Sequence, residues 1–190
     1  MQPLQRVVCS LSALLCVSCA PPGSGTLFDS GITGYSGDGK IQDASQRSGL
    51  LATRGYRIDM PSFDLGASYE GTFRLSNIPT IDGTRTYVYL FVPKSFAKTT
   101  EPNALSHIDY SMKTSDGAEL IRVESHLGEM IWSSPPAPLS YDGDALYLLD
   151  RSFFEPEAGK SYELRLKYTP APGAEHGQGF VYIWNAVGWS

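Results

Sequence analysis

Apolar and polar residues alternate with a period of two through most of the chain after residue 48, as expected for strands with one buried face. The clearest segment is 162–168, where Tyr162, Leu164, Leu166 and Tyr168 alternate with charged residues. Turn signals such as Asp116-Gly117 separate these segments, and no segment has a helical period. The pattern predicts roughly seven to nine short strands in one antiparallel β-sandwich, either jelly-roll or immunoglobulin-like.

Two segments, 87–92 and 180–184, are apolar or aromatic at every position. Such strands lie in a sheet that is covered on both sides, or they offer one face to a partner. If the two segments share a sheet, the aliphatic side chains fill the core: Val88, Leu90, Val92, Val181 and Ile183. The other face then carries the aromatic side chains: Tyr87, Tyr89, Phe91, Tyr182 and Trp184. The alternatives are that the aromatic side chains face inward to fill a thick core, or that a loop covers them.

The first twenty residues have the layout of a secretory signal, with a basic residue at Arg6, an apolar run over 7–17 and small residues around Ser18. The three cysteines of the chain, Cys9, Cys16 and Cys19, all lie in this leader. A disulfide framework and a thiolate metal site are therefore excluded for the folded part.

Residues 15–19, Leu-Cys-Val-Ser-Cys, resemble the lipobox of bacterial lipoproteins, whose last Cys is lipidated and becomes the new N-terminus. The resemblance covers only the leader, and Cys16 stands where Leu is commonest. It implies lipidation at Cys19, a membrane anchor and a place in the cell envelope. Ala20 after the Cys implies sorting to the outer membrane, facing the periplasm or the surface. The alternative is an ordinary cleaved signal and a soluble exported protein.

These features divide the chain into a signal peptide over 1–18, the lipidated Cys with a flexible tether over 19–47, and a β-sandwich domain over 48–190. The tether is predicted from its Gly, Ser, Pro and Asp content, which buries too little apolar surface to order itself. A formal charge of -5 argues against nucleic acid as a partner, because that needs basic residues to displace counterions.

Candidate chemistry is sparse. His107, His126 and His176 are far apart in sequence, and no pair has the spacing of two metal ligands on one element. Among them His176 is the one most suited to meet a ligand, because it lies in a Gly-rich loop just before the 180–184 segment. Asp142, Asp144 and Asp150 offer oxygens for calcium, but Asp-Gly-Asp is also ordinary turn chemistry. We expect no cofactor, no resident metal and no catalytic residues.

The sequence therefore favours a non-enzymatic binding or interaction module with a glycan or a protein as its ligand. The candidate ligand-binding residues are Tyr87, Tyr89, Tyr182, Trp184 and His176, since Tyr and Trp have an apolar body and a polar tip. One alternative is a protein-binding lipoprotein of the toxin-immunity or inhibitor type. A second alternative is a jelly-roll hydrolase with His176 and the Asp142/Asp144 loop near one site.

Overall fold

A computed structural model describes residues 34–44, 46–48, 51–53, 55–81, 85–96, 99–133, 143–147 and 151–186. These residues form fifteen strands and two short 3-10 turns, Asn103–Leu105 and Leu127–Glu129. No helix in the described ranges is long and apolar enough to cross a bilayer. The strands are β1 (Ser36–Gly37), β2 (Lys40–Asp43), β3 (Gln46–Ser48), β4 (Leu51–Thr53), β5 (Gly55–Asp59), β6 (Phe63–Asp64), β7 (Tyr69–Ser76), β8 (Thr86–Pro93), β9 (His107–Thr114), β10 (Glu119–His126), β11 (Ile131–Ser133), β12 (Gly143–Tyr147), β13 (Phe153–Phe154), β14 (Ser161–Thr169) and β15 (Gln178–Ala186).

Two antiparallel sheets make up the domain, which confirms the predicted β-sandwich. The smaller sheet has the order β1-β7-β14-β9-β10. The larger sheet has the order β11-β12-β8-β15-β5-β2, with β13 also beside β8 and β6 also beside β15. The β3-β4 pair is separate from both. A single core cluster combines buried side chains of the smaller and the larger sheet, so these two sheets pack face to face.

The smaller sheet has one buried face and one solvent-exposed face. Along its central strand β14, Leu164 and Leu166 are buried, while Arg165 and Lys167 are exposed. The neighbouring strand β7 follows the same rule, with Phe73 buried against the other sheet. This sheet therefore behaves as its period-two pattern predicts, and its outer face is a solvated mixture of charges.

The larger sheet is apolar on both faces, as the sequence of its two central strands predicts. β8 and β15 are direct neighbours, with Val181 opposite Leu90 and Tyr182 opposite Tyr89. The aliphatic members of both strands lie in the core between the sheets. The aromatic members lie on the opposite, outer face, where they form a second cluster. The sheet thus presents a layer of rings on the side away from the main core.

The folded region begins earlier than the predicted boundary between tether and domain at residues 47 and 48. Ser36 pairs with Ser76 in the smaller sheet, and Ile41 pairs with Ile58 in the larger sheet. Part of the segment predicted to be tether therefore contributes an edge strand to each sheet. The sequence gives no sign of this because β1 and β2 have two and four residues within a Gly- and Asp-rich stretch.

Two local signals in the sequence do not have their usual consequence in the structure. A proline at the end of an alternating segment is typical of an edge strand, but Pro61 lies two residues past the end of β5, and β5 lies between β15 and β2. A glycine within a strand often marks a bulge, but β7 pairs with β14 in regular register through Gly71. The irregularity in register lies instead in β10, between Glu119 and Ile121.

A tyrosine side chain closes the turn before β14 by hydrogen bonds to the backbone, as in a tyrosine corner. The Tyr162 hydroxyl accepts a hydrogen bond from the Glu157 N–H at 2.6 Å and donates to the Glu157 carbonyl at 3.3 Å. Gly159 provides the left-handed conformation that the intervening turn requires, with φ of 77°. These hydrogen bonds fix the start of β14, the central strand of the smaller sheet.

Candidate functional site

The outer face of the larger sheet brings four of the predicted ligand-binding residues together. Tyr89 stacks on Tyr182 with ring centroids 5.1 Å apart, and it lies 6.0 Å from Tyr87 and 6.1 Å from Trp184. Tyr147 of β12 extends the layer at 5.1 Å from Tyr89. These contacts follow from register, because antiparallel neighbours place opposed side chains on the same face.

None of the five rings of this aromatic layer is fully exposed. Tyr182 has no exposed surface and Tyr89 is 6% exposed, whereas Tyr87, Tyr147 and Trp184 are half-buried. Burial raises the pKa of both Tyr89 and Tyr182 above its ordinary value. Like any tyrosine hydroxyl at neutral pH, both are protonated and can donate hydrogen bonds, and burial extends this to more alkaline pH. The half-buried rings are the parts of the layer that an external molecule reaches first.

A polar row borders the aromatic layer on β5 and β2. Arg57 lies opposite Trp184, and Asp59 lies opposite Tyr182. The Arg57 Nε atom is 2.5 Å from Asp59 Oδ1, and Gln42 Nε2 donates to Asp59 Oδ2 at 2.7 Å. Both members of this ion pair are largely buried, so the carboxylate is held in one position beside the rings.

A cleft of about 490 Å³ opens at the end of this face, within the size range of small-molecule sites. Phe91 and Phe180 stack in its wall with ring centroids 4.8 Å apart. Asp59, Ser62 and Gln178 are its polar lining residues, and Met60 and Pro93 complete the described lining. The arrangement offers a ring surface together with a few directional hydrogen-bonding groups.

His176 lies away from the aromatic layer, in the loop that precedes β15. It is six residues before Tyr182, which is roughly 20 Å of extended chain. Its Nδ1 atom is 2.8 Å from Asp64 Oδ2, and its side chain is 78% exposed. The Gly66 N–H donates to Asp64 Oδ1 at 2.9 Å. The Gly66 hydrogen bond, and then the His176 ring, hold the pKa of Asp64 below its ordinary value.

The loop that carries His176 is fixed by buried polar side chains. The Glu175 N–H donates to Asn103 Oδ1 at 2.9 Å, and the Ala171 N–H donates to Ser106 Oγ at 3.1 Å. Asn103 and Ser106 are both fully buried. A loop held in this way leads into β15 at Gln178 and so fixes one rim of the cleft.

His176 and the β12 segment approach the same end of the larger sheet. Gly143 pairs with Pro93, and a Cβ atom on Gly177 would lie 3.1 Å from Pro93 Cγ. Asp144 is half-buried and pairs with Val92. The other two calcium candidates, Asp142 and Asp150, lie outside the described residues.

The structure brings two other histidines together. His107 and His126 are direct cross-strand partners in the β9-β10 hairpin, with ring centroids 5.3 Å apart. His126 Nδ1 is 3.0 Å from the Leu105 carbonyl oxygen, and Glu124 Oε1 is 3.9 Å from His107 Nε2. Over the part of the chain that the structure describes, no group of three or more metal-ligating side chains is close enough to hold an ion.

Comparison with known proteins gives little beyond the fold. No protein-family description matches the chain, and no curated protein matches it. Among solved structures, the chain is similar to one from a study of the promiscuous specificity of carbohydrate-binding modules of the β-sandwich superfamily. The two are 11% identical with a TM-score of 0.26, and the match covers 86% of this chain and 61% of the other. A likeness this distant indicates neither a ligand nor an activity.

Proposed function

We propose that this protein is a non-catalytic binding module of the cell envelope and that its cleft on the outer face of the larger sheet binds a saccharide. The observation that carries the proposal is the stacked Phe91–Phe180 pair beside the fixed Asp59 carboxylate. A sugar has an apolar face of C–H groups and a rim of hydroxyls. It therefore fits a site that combines a ring surface with a few oriented polar groups.

The polar groups of the cleft suit hydroxyls in particular. Asp59 accepts hydrogen bonds, the Gln178 amide both donates and accepts, and the Ser62 hydroxyl does either. Asp59 is already oriented by Arg57 and Gln42, so little side-chain entropy is lost when a ligand hydroxyl approaches it. Ser62 and Gln178 are exposed and can reorient toward the ligand.

The location in the envelope is part of the proposal and depends on lipidation at Cys19, supported by the lipobox-like sequence before it. A lipid anchor and the segment after it would hold the β-sandwich at a membrane surface, beside the polysaccharides of the envelope. Outer-membrane sorting is proposed from Ala20, which follows the Cys.

The saccharide proposal is tested by retention of the purified chain on a panel of insoluble polysaccharides and cell-wall sacculi, followed by calorimetry with soluble fragments of any polymer that retains it. A double variant, Ser62→Ala with Gln178→Ala, removes hydrogen-bonding groups from the cleft. We expect the wild type to be retained and the double variant to lose about tenfold or more in affinity.

The matched control is Thr72→Ala, which removes an exposed polar group from the outer face of the smaller sheet. It should bind like the wild type. If no polymer retains the wild type, or if the cleft double variant binds as well as Thr72→Ala, the proposed function is wrong.

A further inference from the structure

The histidine pair of the smaller sheet has the spacing of two ligands on one metal ion. His107 and His126 are direct cross-strand partners, and their ring centroids are 5.3 Å apart. Their neighbours Ile108 and Ser125 are buried, so the alternation of each strand places both rings on the outer, solvent-exposed face. Two imidazole rings that bind one tetrahedral Zn²⁺ through bonds of about 2.1 Å have centroids about 5 Å apart. The observed separation therefore suits an ion held between the two rings.

The His126 ring is held in the form that a metal ligand needs. Its Nδ1 atom is 3.0 Å from the Leu105 carbonyl oxygen, which can only accept a hydrogen bond. Nδ1 must therefore carry the proton, and in the neutral ring the lone pair is on Nε2. Metal-binding histidines usually donate their other N–H to a carbonyl or a carboxylate in this way, which fixes the orientation of the ring. The Leu127 N–H donates to the Ser106 carbonyl at 2.9 Å, so the backbone keeps the ring and this carbonyl together.

Two carboxylates border the pair. Glu124 lies two residues before His126 on the same face, and its Oε1 atom is 3.9 Å from His107 Nε2. Glu129 Oε2 accepts a hydrogen bond from the His126 N–H at 3.2 Å. That hydrogen bond is the main reason why the pKa of Glu129 lies below its ordinary value, so this carboxylate is charged at neutral pH. Negative charge beside two neutral nitrogen ligands favours a cation at this position.

The ligand atoms indicate which class of cation fits. Imidazole nitrogen suits Zn²⁺, Cu²⁺ and Ni²⁺, whereas Ca²⁺ and Mg²⁺ prefer oxygen ligands. We propose that His107 and His126 together bind one divalent transition-metal ion through their ring nitrogens. Water completes the coordination, since no group of three ligating side chains is present over the described ranges.

This metal site does not depend on the proposed function, because it lies on the smaller sheet and the cleft lies on the larger one. Spacing along the chain predicted no resident metal, because His107 and His126 meet only through pairing across the hairpin. The two proposals can therefore succeed or fail separately.

The experiment titrates Zn²⁺ into the purified chain and follows the ring signals of its histidines by NMR. The chain has three histidines, so zinc bound by the cysteines of the leader does not affect the readout. We expect the His107 and His126 rings to shift together along one saturating curve, while the His176 ring stays unchanged. His107→Gln and His126→Gln should each weaken Zn²⁺ binding at the remaining ring of the pair by about tenfold or more, because one ligand is lost. Mg²⁺ at the same concentrations should shift neither ring.

The matched control is His176→Gln. The His176 ring is also held through Nδ1, by Asp64, but it is not paired with either of the other histidines, so this variant should bind Zn²⁺ like the wild type. If the His107 and His126 rings shift with different midpoints, or if one ring responds equally well after the other is replaced, the two are in ordinary edge-to-face contact and the inference is overturned. Equal shifts with Mg²⁺ would also overturn it. Retention on a polysaccharide, or its absence, tests the cleft alone.

Discussion

Phe180→Ala tests whether the outer aromatic layer is packed like a core. Phe180 is 8% exposed and stacks on Phe91. Burying a Phe side chain stabilises a protein by about 1.5–3 kcal/mol, and a stacked pair adds about 0.5–1.5 kcal/mol. Because Phe180 lines an open cleft, water can fill part of the space that Ala leaves. We therefore expect Phe180→Ala to lower the free energy of unfolding by about 2–3 kcal/mol, in the lower half of the range obtained by adding the burial and stacking contributions.

The assay is urea unfolding followed by tryptophan fluorescence, with the slope of the transition used to check that both proteins unfold alike. Leu120→Ala is the control, since Leu120 is 36% exposed on the edge strand β10 and should cost less than about 1 kcal/mol. A cost for Phe180→Ala as small as that of Leu120→Ala would show that the outer layer is an ordinary exposed face, and the reasoning would be refuted.

Three further predictions use other parts of the chain. Because the folded-state pKa of Asp64 is lowered, its contribution to stability is present above the ordinary carboxyl value of about 3.9 and is lost as the pH falls through the lowered pKa. The difference between the urea midpoints of wild type and Asp64→Asn should thus be largest near pH 7 and shrink as the pH falls below the ordinary carboxyl value; a difference that does not change between pH 7 and strong acid would contradict this. Burial raises the pKa of Tyr35 to about 12, so phenolate absorbance should rise in two phases, with exposed tyrosines near pH 10 and buried ones only at higher pH; a single transition near pH 10 would oppose it. Cys19→Ala should move the protein from the membrane fraction to the soluble exported fraction and abolish labelling by fatty acid, whereas an unchanged membrane fraction would exclude lipidation there.

The sequence was informative wherever side chains follow a period of two. Alternation located most strands of the sandwich, and the parity of 87–92 and 180–184 predicted which side chains enter the core and which form the aromatic face. Parity is reliable here because a slip of one residue would move every side chain of a strand to the other face. The burial of Tyr89 and Tyr182 did not follow from parity. A period of two assigns each side chain to one face of a sheet but does not tell whether that face is covered.

The cleft depends on long-range pairing that the sequence does not specify. Asp59 and Gln178 line one cleft although more than a hundred residues separate them, because β5 and β15 are neighbours. No local signal predicts which strand adjoins another across such a distance. The histidine pair is different: the Asp116-Gly117 turn, with the strands on either side, could have placed His107 opposite His126.

The most direct test of the account is to map where a saccharide lies on the isotope-labelled chain, by following amide chemical shifts during titration with a soluble fragment of a polymer that retains the wild type. The account predicts saturable changes confined to the amides of Asp59, Ser62, Gln178 and Phe180 and the residues beside Tyr182. Changes centred on the charged face of the smaller sheet, around Thr72 and Arg165, would contradict it, as would a titration that leaves all amides unmoved.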